Sequence, residues 1–210
     1  ASKADAQAAP LADLKLVDQN GEEHSLDEYR GKTVFLNFWA TWCGPCQREI
    51  PDIEKLYRDR GENEGDLVVL GVANPKTDSR PNNSDVSEAD VKAFIDERGI
   101  TYPVLMDTTG EMFSGYRILS FPTTFMIDKD GNIFGYISGM LTPDMMDSIV
   151  EQTMSGVEEV ALRRPPAASR GASVTRMFHV KHLFVKGILR DPFSRSAARR
   201  GVFASSYFTT

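Results

Sequence analysis

Apolar and polar positions change period several times along this chain, and each change marks an element. Leu14 to Val17 read as a short alternating strand, with Gly21 in a hairpin turn behind it. The run TVFLNFWA, residues 33–40, is β-branched and aromatic, which predicts a central strand buried on both faces. The period then becomes helical: Cys46, Ile50, Ile53 and Tyr57 share one face. Pro45 suits a first helical turn, where its missing N–H is no loss, whereas Pro51 lies inside and is expected to kink the helix before Gly61 ends it. DLVVLGVA, residues 66–73, is a second buried strand. The polar loop 74–86, rich in Pro and Asn, is long enough to be either functional or mobile. Ser87 reads as the N-cap of a helix with the stripe Val91, Phe94 and Ile95, and Gly99 stops it. YPVLMD is a strand and EMFSGYRI at most a short helix. Residues 123–138 form two strands joined through Asp130-Gly131, a strong hairpin signal. Thr142 and Pro143 open a last helix with the buried stripe Met146, Ile149, Val150 and Thr153, its methionines read as core filler, and Gly156 closes it.

Strands separated by crossover helices imply an α/β fold. A central mixed sheet, partly parallel, is expected to be covered on both faces, with the last hairpin as an antiparallel edge.

Beyond Gly156 no period persists, and the composition changes too. Residues 1–162 carry 14 basic and 29 acidic side chains, whereas residues 163–210 carry 10 and 1. The net charge of −6 therefore hides two kinds of polypeptide. The organisation expected is a linker over 1–10, one domain over 11–158 and a basic, disordered tail over 159–210. A basic arm for nucleic acid or anionic lipid is the functional alternative for the tail, and His179 with His182 could ligate a metal. MFHVKH, residues 177–182, can be encoded by ATG TTT CAC GTG AAA CAT, a string equal to its own reverse complement. It resembles the palindromic partition site of bacterial chromosomes, which favours an acquired or read-through tail, and no nucleic-acid partner is expected. No apolar stretch is long enough to predict a transmembrane helix. The Ala-rich start at Ala1 reads as the stub left when a signal or anchor is removed, or as an arbitrary cut.

The chain has two cysteines, Cys43 and Cys46. They are too few for a disulfide framework or, alone, for a closed zinc site. A C-x-x-C between a strand and a helix points to redox chemistry. At a helix start the first sulfur faces free backbone N–H groups and the positive dipole end, which lowers its pKa below the free value of ~8.5. Cys43 is thus the expected nucleophile and Cys46 the resolving thiol, with Gly44 and Pro45 forming the turn between them. No cofactor is expected beyond the Cys43–Cys46 disulfide itself. Trp39 reads as core and Trp42 as an exposed flank.

FWATWCGPCQREIP, taken with FPTTFMIDKDG, resembles the thioredoxin superfamily and, within it, the TlpA-like (ResA-like) extracytoplasmic thiol–disulfide oxidoreductases, over residues 11–156. The resemblance implies a thioredoxin fold with an N-terminal β-hairpin and an insert before its second half. It implies that Trp42, Cys43, Gly44, Pro45 and Cys46 form the active-site motif. Pro51 matches the proline that kinks the helix, Pro122 a cis-proline facing the cysteines, and Thr123 the residue that commonly follows it. One position departs: six before the first cysteine, cytoplasmic thioredoxins carry a buried Asp, and here stands Asn37, which cannot titrate. Glu49 is the nearest substitute acid in sequence, ahead of Lys76 and Asp78, with a solvated helix position as the plain alternative.

The function implied is reduction of disulfides in exported proteins, such as a methionine sulfoxide reductase or an apocytochrome. The implied donor is a membrane electron carrier of the CcdA type, and the chain is expected to act as a monomer. The precursor is expected to be exported or membrane-anchored. Two other readings stand beside this one. A binding module would hold a metal, or hand on haem or copper, through Cys43 and Cys46 with His24, His179 or His182. A peroxiredoxin would want a lone peroxidatic cysteine, and here a second follows two residues later.

Overall fold

The computed structural model describes residues 7–156. A small antiparallel hairpin comes first, β1 (Leu16–Val17) on β2 (Glu23–His24), followed by a single 3-10 turn over Leu26–Tyr29. The main sheet has five strands: β3 (Thr33–Phe38), β4 (Leu67–Ala73), β5 (Val104–Met106), β6 (Thr123–Ile127) and β7 (Ile133–Ser138). Their order across the sheet is β5-β4-β3-β6-β7. β3, β4 and β5 run parallel, while β6 and β7 are antiparallel, as the crossover helices and the final hairpin require.

Every residue of β3 and β4 is buried, because helices cover both faces of the sheet. Alternate residues feed two core layers. Phe35, Val69, Val104 and Met126 join Trp39 and the apolar faces of α1 (Gly44–Asp59), α2 (Glu88–Arg98) and α4 (Pro143–Ser155). Leu36, Phe38, Val68, Leu70 and Phe125 join the other layer with Met112 and Tyr116, in and just after the short helix α3 (Glu111–Gly115).

The caps read from sequence are present. Ser87 Oγ accepts from Asp90 N–H, Thr142 Oγ1 accepts from Met145 N–H, and Gly99 and Gly156 end their helices at φ of 63° and 62°. The strands are shorter than expected: the first is Leu16–Val17, and 33–40 is strand only to Phe38, because the chain must leave the sheet to start α1. Pro45 stands in the second helical position, and α1 runs past Pro51 to Asp59.

Two expectations change. Part of the linker over 1–10 belongs to the fold: Gln7 O accepts from Ile133 N–H, Ala9 N–H donates to Gly131 O, and Ala9 is buried. The long loop is pinned by its own amide side chains. Asn74 donates to Asp107 O and accepts from Ser84 N–H, while Asn83 Nδ2 donates to Pro75 O and Thr108 O. The basic tail over 159–210, with His179 and His182, lies outside the described residues. Among the described residues no helix is long and apolar enough to cross a membrane.

Candidate active site

The end of β3 delivers the cysteines. Trp39 follows it, wholly buried, and its N–H donates to Val72 O. Thr41 is then held on three sides. Its N–H and its hydroxyl both donate to the buried carboxylate of Asp85, and its carbonyl accepts from Gln47 Nε2 at 2.6 Å. Asp85 also accepts from Val86 N–H at 2.8 Å, so it ties the 74–87 loop to the residue two before Cys43. Trp42 is 60% exposed, yet fixed: its indole N–H donates to Ser84 O at 2.7 Å, and its ring stands edge-on to Phe121.

Cys43 is the N-cap of α1, and its sulfur accepts from Cys46 N–H at 3.2 Å. An amide dipole at the helix N-terminus thus points at this sulfur, where it favours a thiolate. Cys43 and Cys46 are joined as a disulfide with Cα atoms 5.2 Å apart, and both are buried. Gly44 and Pro45 lie exposed between them. A Cβ on Gly44 would stand 3.7 Å from Arg48 Nη1, so a guanidinium lies over the turn.

Register places the second half of the site. Phe38 pairs with Thr123, so Pro122 sits just off the sheet beside the chain that leads to the cysteines. The Phe121–Pro122 bond is cis, and Pro122 O accepts from Gly139 N–H at 2.8 Å. Thr123 Oγ1 donates to Ser120 O, which closes the turn before the proline.

Asn37 is buried and donates to Thr124 Oγ1 at 2.9 Å, a bond between neighbouring strands. Glu49 lies one turn beyond Cys46 on the same helix and is 1% exposed, so it is not a solvated helix position. Its Oε1 accepts from Leu141 N–H at 3.0 Å, and its Oε2 has no hydrogen-bond partner. Burial pushes its carboxyl up to about 7, against the Leu141 N–H and with a smaller push from Asp52. A group at that value takes and returns a proton near neutrality. Lys76 and Asp78 are exposed on the 74–87 loop.

His24 belongs to the N-terminal hairpin. It meets Asp18, Glu28 and the Tyr29 hydroxyl, with Nδ1 2.6 Å from that oxygen. Asp18, Glu22 and His24 could bring ligand atoms within 4.8 Å of one another, but Asp18 Oδ1 already accepts the N–H groups of Asn20 and Glu22 in the hairpin turn.

Sequence reasoning missed Asp85, Ser84, Arg48, Gly139 and Leu141. Arg48 alone left a local signal, four residues past Gly44 on the same helical face.

The chain matches the model of the AhpC/TSA family over residues 6–135. It is 35% identical over 139 residues to the thiol-disulfide oxidoreductase ResA of Geobacillus kaustophilus, covering 66% of this chain and 73% of that protein. It is 37% identical over 141 residues to the thioredoxin-like protein YneN of Bacillus subtilis, covering 67% and 75%. Among solved structures, the pneumococcal exposed lipoprotein thioredoxin of Streptococcus pneumoniae aligns with a TM-score of 0.55 at 27% identity, covering 66% of this chain and 98% of that one.

Proposed function

From a chain that belongs to the AhpC/TSA family and has a thioredoxin fold, we propose a thiol–disulfide oxidoreductase that reduces disulfides of exported protein partners. The observation that carries this reading is the Cys43–Cys46 disulfide at the start of α1, with a backbone N–H on the first sulfur and buried Glu49 one turn past the second. In the reduced enzyme the Cys43 thiolate attacks a client disulfide. One client sulfur leaves as a thiolate, and a mixed disulfide joins the other to Cys43. Glu49 takes the proton of Cys46, whose thiolate then attacks Cys43 Sγ. The second client thiolate departs: two electrons have passed from the Cys43 and Cys46 thiols to the client disulfide, and the enzyme is left with the Cys43–Cys46 disulfide. A donor must return two electrons for the next turnover, and outside the cytoplasm a membrane carrier of the CcdA type fills that role. Methionine sulfoxide reductases and apocytochromes are the client classes considered. Trp42, Gly44, Pro45, Pro122 and Thr123 shape the surface on which the client strand meets Cys43.

A Cys46→Ser variant tests the reading. It should form a mixed disulfide with an oxidised client and stop there, releasing one client thiol per enzyme. Release without any trapped adduct would remove Cys43 as the nucleophile.

A further inference from the structure

Among the described residues, seven large apolar side chains are exposed, and four of them, Trp42, Val86, Leu119 and Met140, stand on the loops around the cysteine pair. Leu119 is 95% exposed, the most open of the set. Its loop carries backbone strain: Arg117 has φ of 53°, a left-handed conformation that favours glycine, and Ile118 N–H is tied back to Phe113 O. Strain of this kind concentrates at functional sites. Met140 lies between Gly139, bonded to Pro122 O, and Leu141, bonded to Glu49.

Charge gathers at the same end. Lys15, Arg30, Lys55, Arg58, Arg60 and Lys92 each reach a carboxylate. Lys32 donates to Asn63 O, and Arg98 is bonded to Gln47 and stacked on Phe94. Among the described residues no such partner holds the exposed side chains of Arg48, Lys76, Arg80 and Arg117. Arg48 lies over Gly44, and Arg117 precedes the turn that leads to Pro122. Lys76 and Arg80 stand on the loop that Asp85 and Ser84 tie to Thr41 and Trp42, Arg80 there lining a groove with Glu111 and Leu11. Lys129, also free, sits in the turn between β6 and β7. Asp78, Glu111 and Asp144 are exposed acids in the neighbourhood, so the surface is a set of discrete cations rather than a uniform field.

We propose, resting on the reductase reading, that this rim docks an extended client segment with apolar residues beside its cystine and carboxylates beyond them. The apolar loops supply contact area at the centre. The free guanidinium groups of Arg48 and Arg117 flank it and discriminate between clients by charge. The acidic body acts against such a client, but at physiological ionic strength the field of its more distant carboxylates fades within ~8 Å, which leaves the balance to the groups that touch the client.

The test uses the full chain and three substrates: two peptides sharing one intramolecular disulfide and the same apolar neighbours, flanked by Glu or by Lys, and neutral hydroxyethyl disulfide. Near physiological ionic strength, kcat/KM for the Glu peptide should exceed that for the Lys peptide by about three- to tenfold. Arg48→Glu with Arg117→Glu should invert that ratio, and because the ratio is taken within one enzyme, any change in Cys43 reactivity cancels. Leu119→Ser should lower both peptides by about threefold or more relative to hydroxyethyl disulfide. A ratio near one, or a ratio the double variant leaves unmoved, overturns the inference while turnover of hydroxyethyl disulfide keeps the reductase reading. Loss of turnover on all three substrates brings down the reductase reading and the docking surface together.

Discussion

Glu49 is the residue whose chemistry reaches furthest beyond its own contacts. Its carboxyl is pushed up to about 7 from an ordinary 4.5. The folded chain therefore keeps a proton that the unfolded chain has lost, over the window between those values. Stability is fully present below the lower value and falls as pH rises through the upper one, by roughly 3 kcal/mol in all. Denaturant unfolding at about pH 4.5 and about pH 8 should show that decline, and Glu49→Gln should flatten it. The same variant should slow resolution of the mixed disulfide more than its formation, which single-turnover mixing reads directly. Beside it, Cys43 should be alkylated before Cys46 near neutral pH, as mapping of a limiting label would show. The redox couple is a third expectation at this scale. The helix terminus and Arg48 favour the thiolate, but Gly44 and Pro45 add neither charge nor side-chain donor. The potential should then lie nearer thioredoxin at ~−270 mV than DsbA at ~−120 mV. Equilibration in dithiothreitol buffers measures it, and a value at the oxidant end would make the chain an installer of disulfides.

Among the elements, the 74–87 loop behaves as a part of the active site. Asp85→Ala would strand two donors at a buried position, Thr41 N–H and the Thr41 hydroxyl, and would remove the acceptor of Val86 N–H. A loss of about 3 kcal/mol is expected. Amide exchange should quicken at Thr41, Ser84 and Val86 while the β3 amides keep their protection; uniform exchange across both would show that the loop has no separate hold. Asp85→Asn retains one acceptor and should lose less. This element marks where reading the sequence stops. Strand centres, the three long helices and their caps were legible, since propensity and period act over a few residues. The cysteine pair was legible for the same reason, and Glu49 stood less than a turn past Cys46 as the nearest acid in sequence. Asp85 was not, because its partner Thr41 is 44 positions away, and no local pattern distinguishes an Asp that will clamp a distant N–H from an Asp in a solvated loop. Leu141, whose partner is 92 positions away, was hidden in the same way.

For the whole molecule, the two core layers of the described residues run from Ala9 to Val150. Truncation after Leu162 should accordingly leave both the unfolding midpoint and insulin reduction nearly unchanged; a large loss of either would show that the basic segment contributes to the domain. The N-terminal boundary was misplaced because Ala9 is held through its backbone, by Gly131, and backbone pairing leaves no mark in side-chain pattern. The segment 139–142 has a consequence for how the chain tolerates change in length. Its first residue is bonded to Pro122 and its third to Glu49, so adding a single residue there would break one of the two attachments whichever way the loop shifted. The stretch 78–82 is exposed, and its backbone bonds, from Arg80 to Thr77 and Asn83, stay within the loop whose ends Asn74 and Asp85 hold, so none of them reaches the cysteine helix. Because lengthening a flexible loop adds little closure entropy, epitope tags, short inserted domains and the drift of related sequences should accumulate at 78–82 and be purged from 139–142.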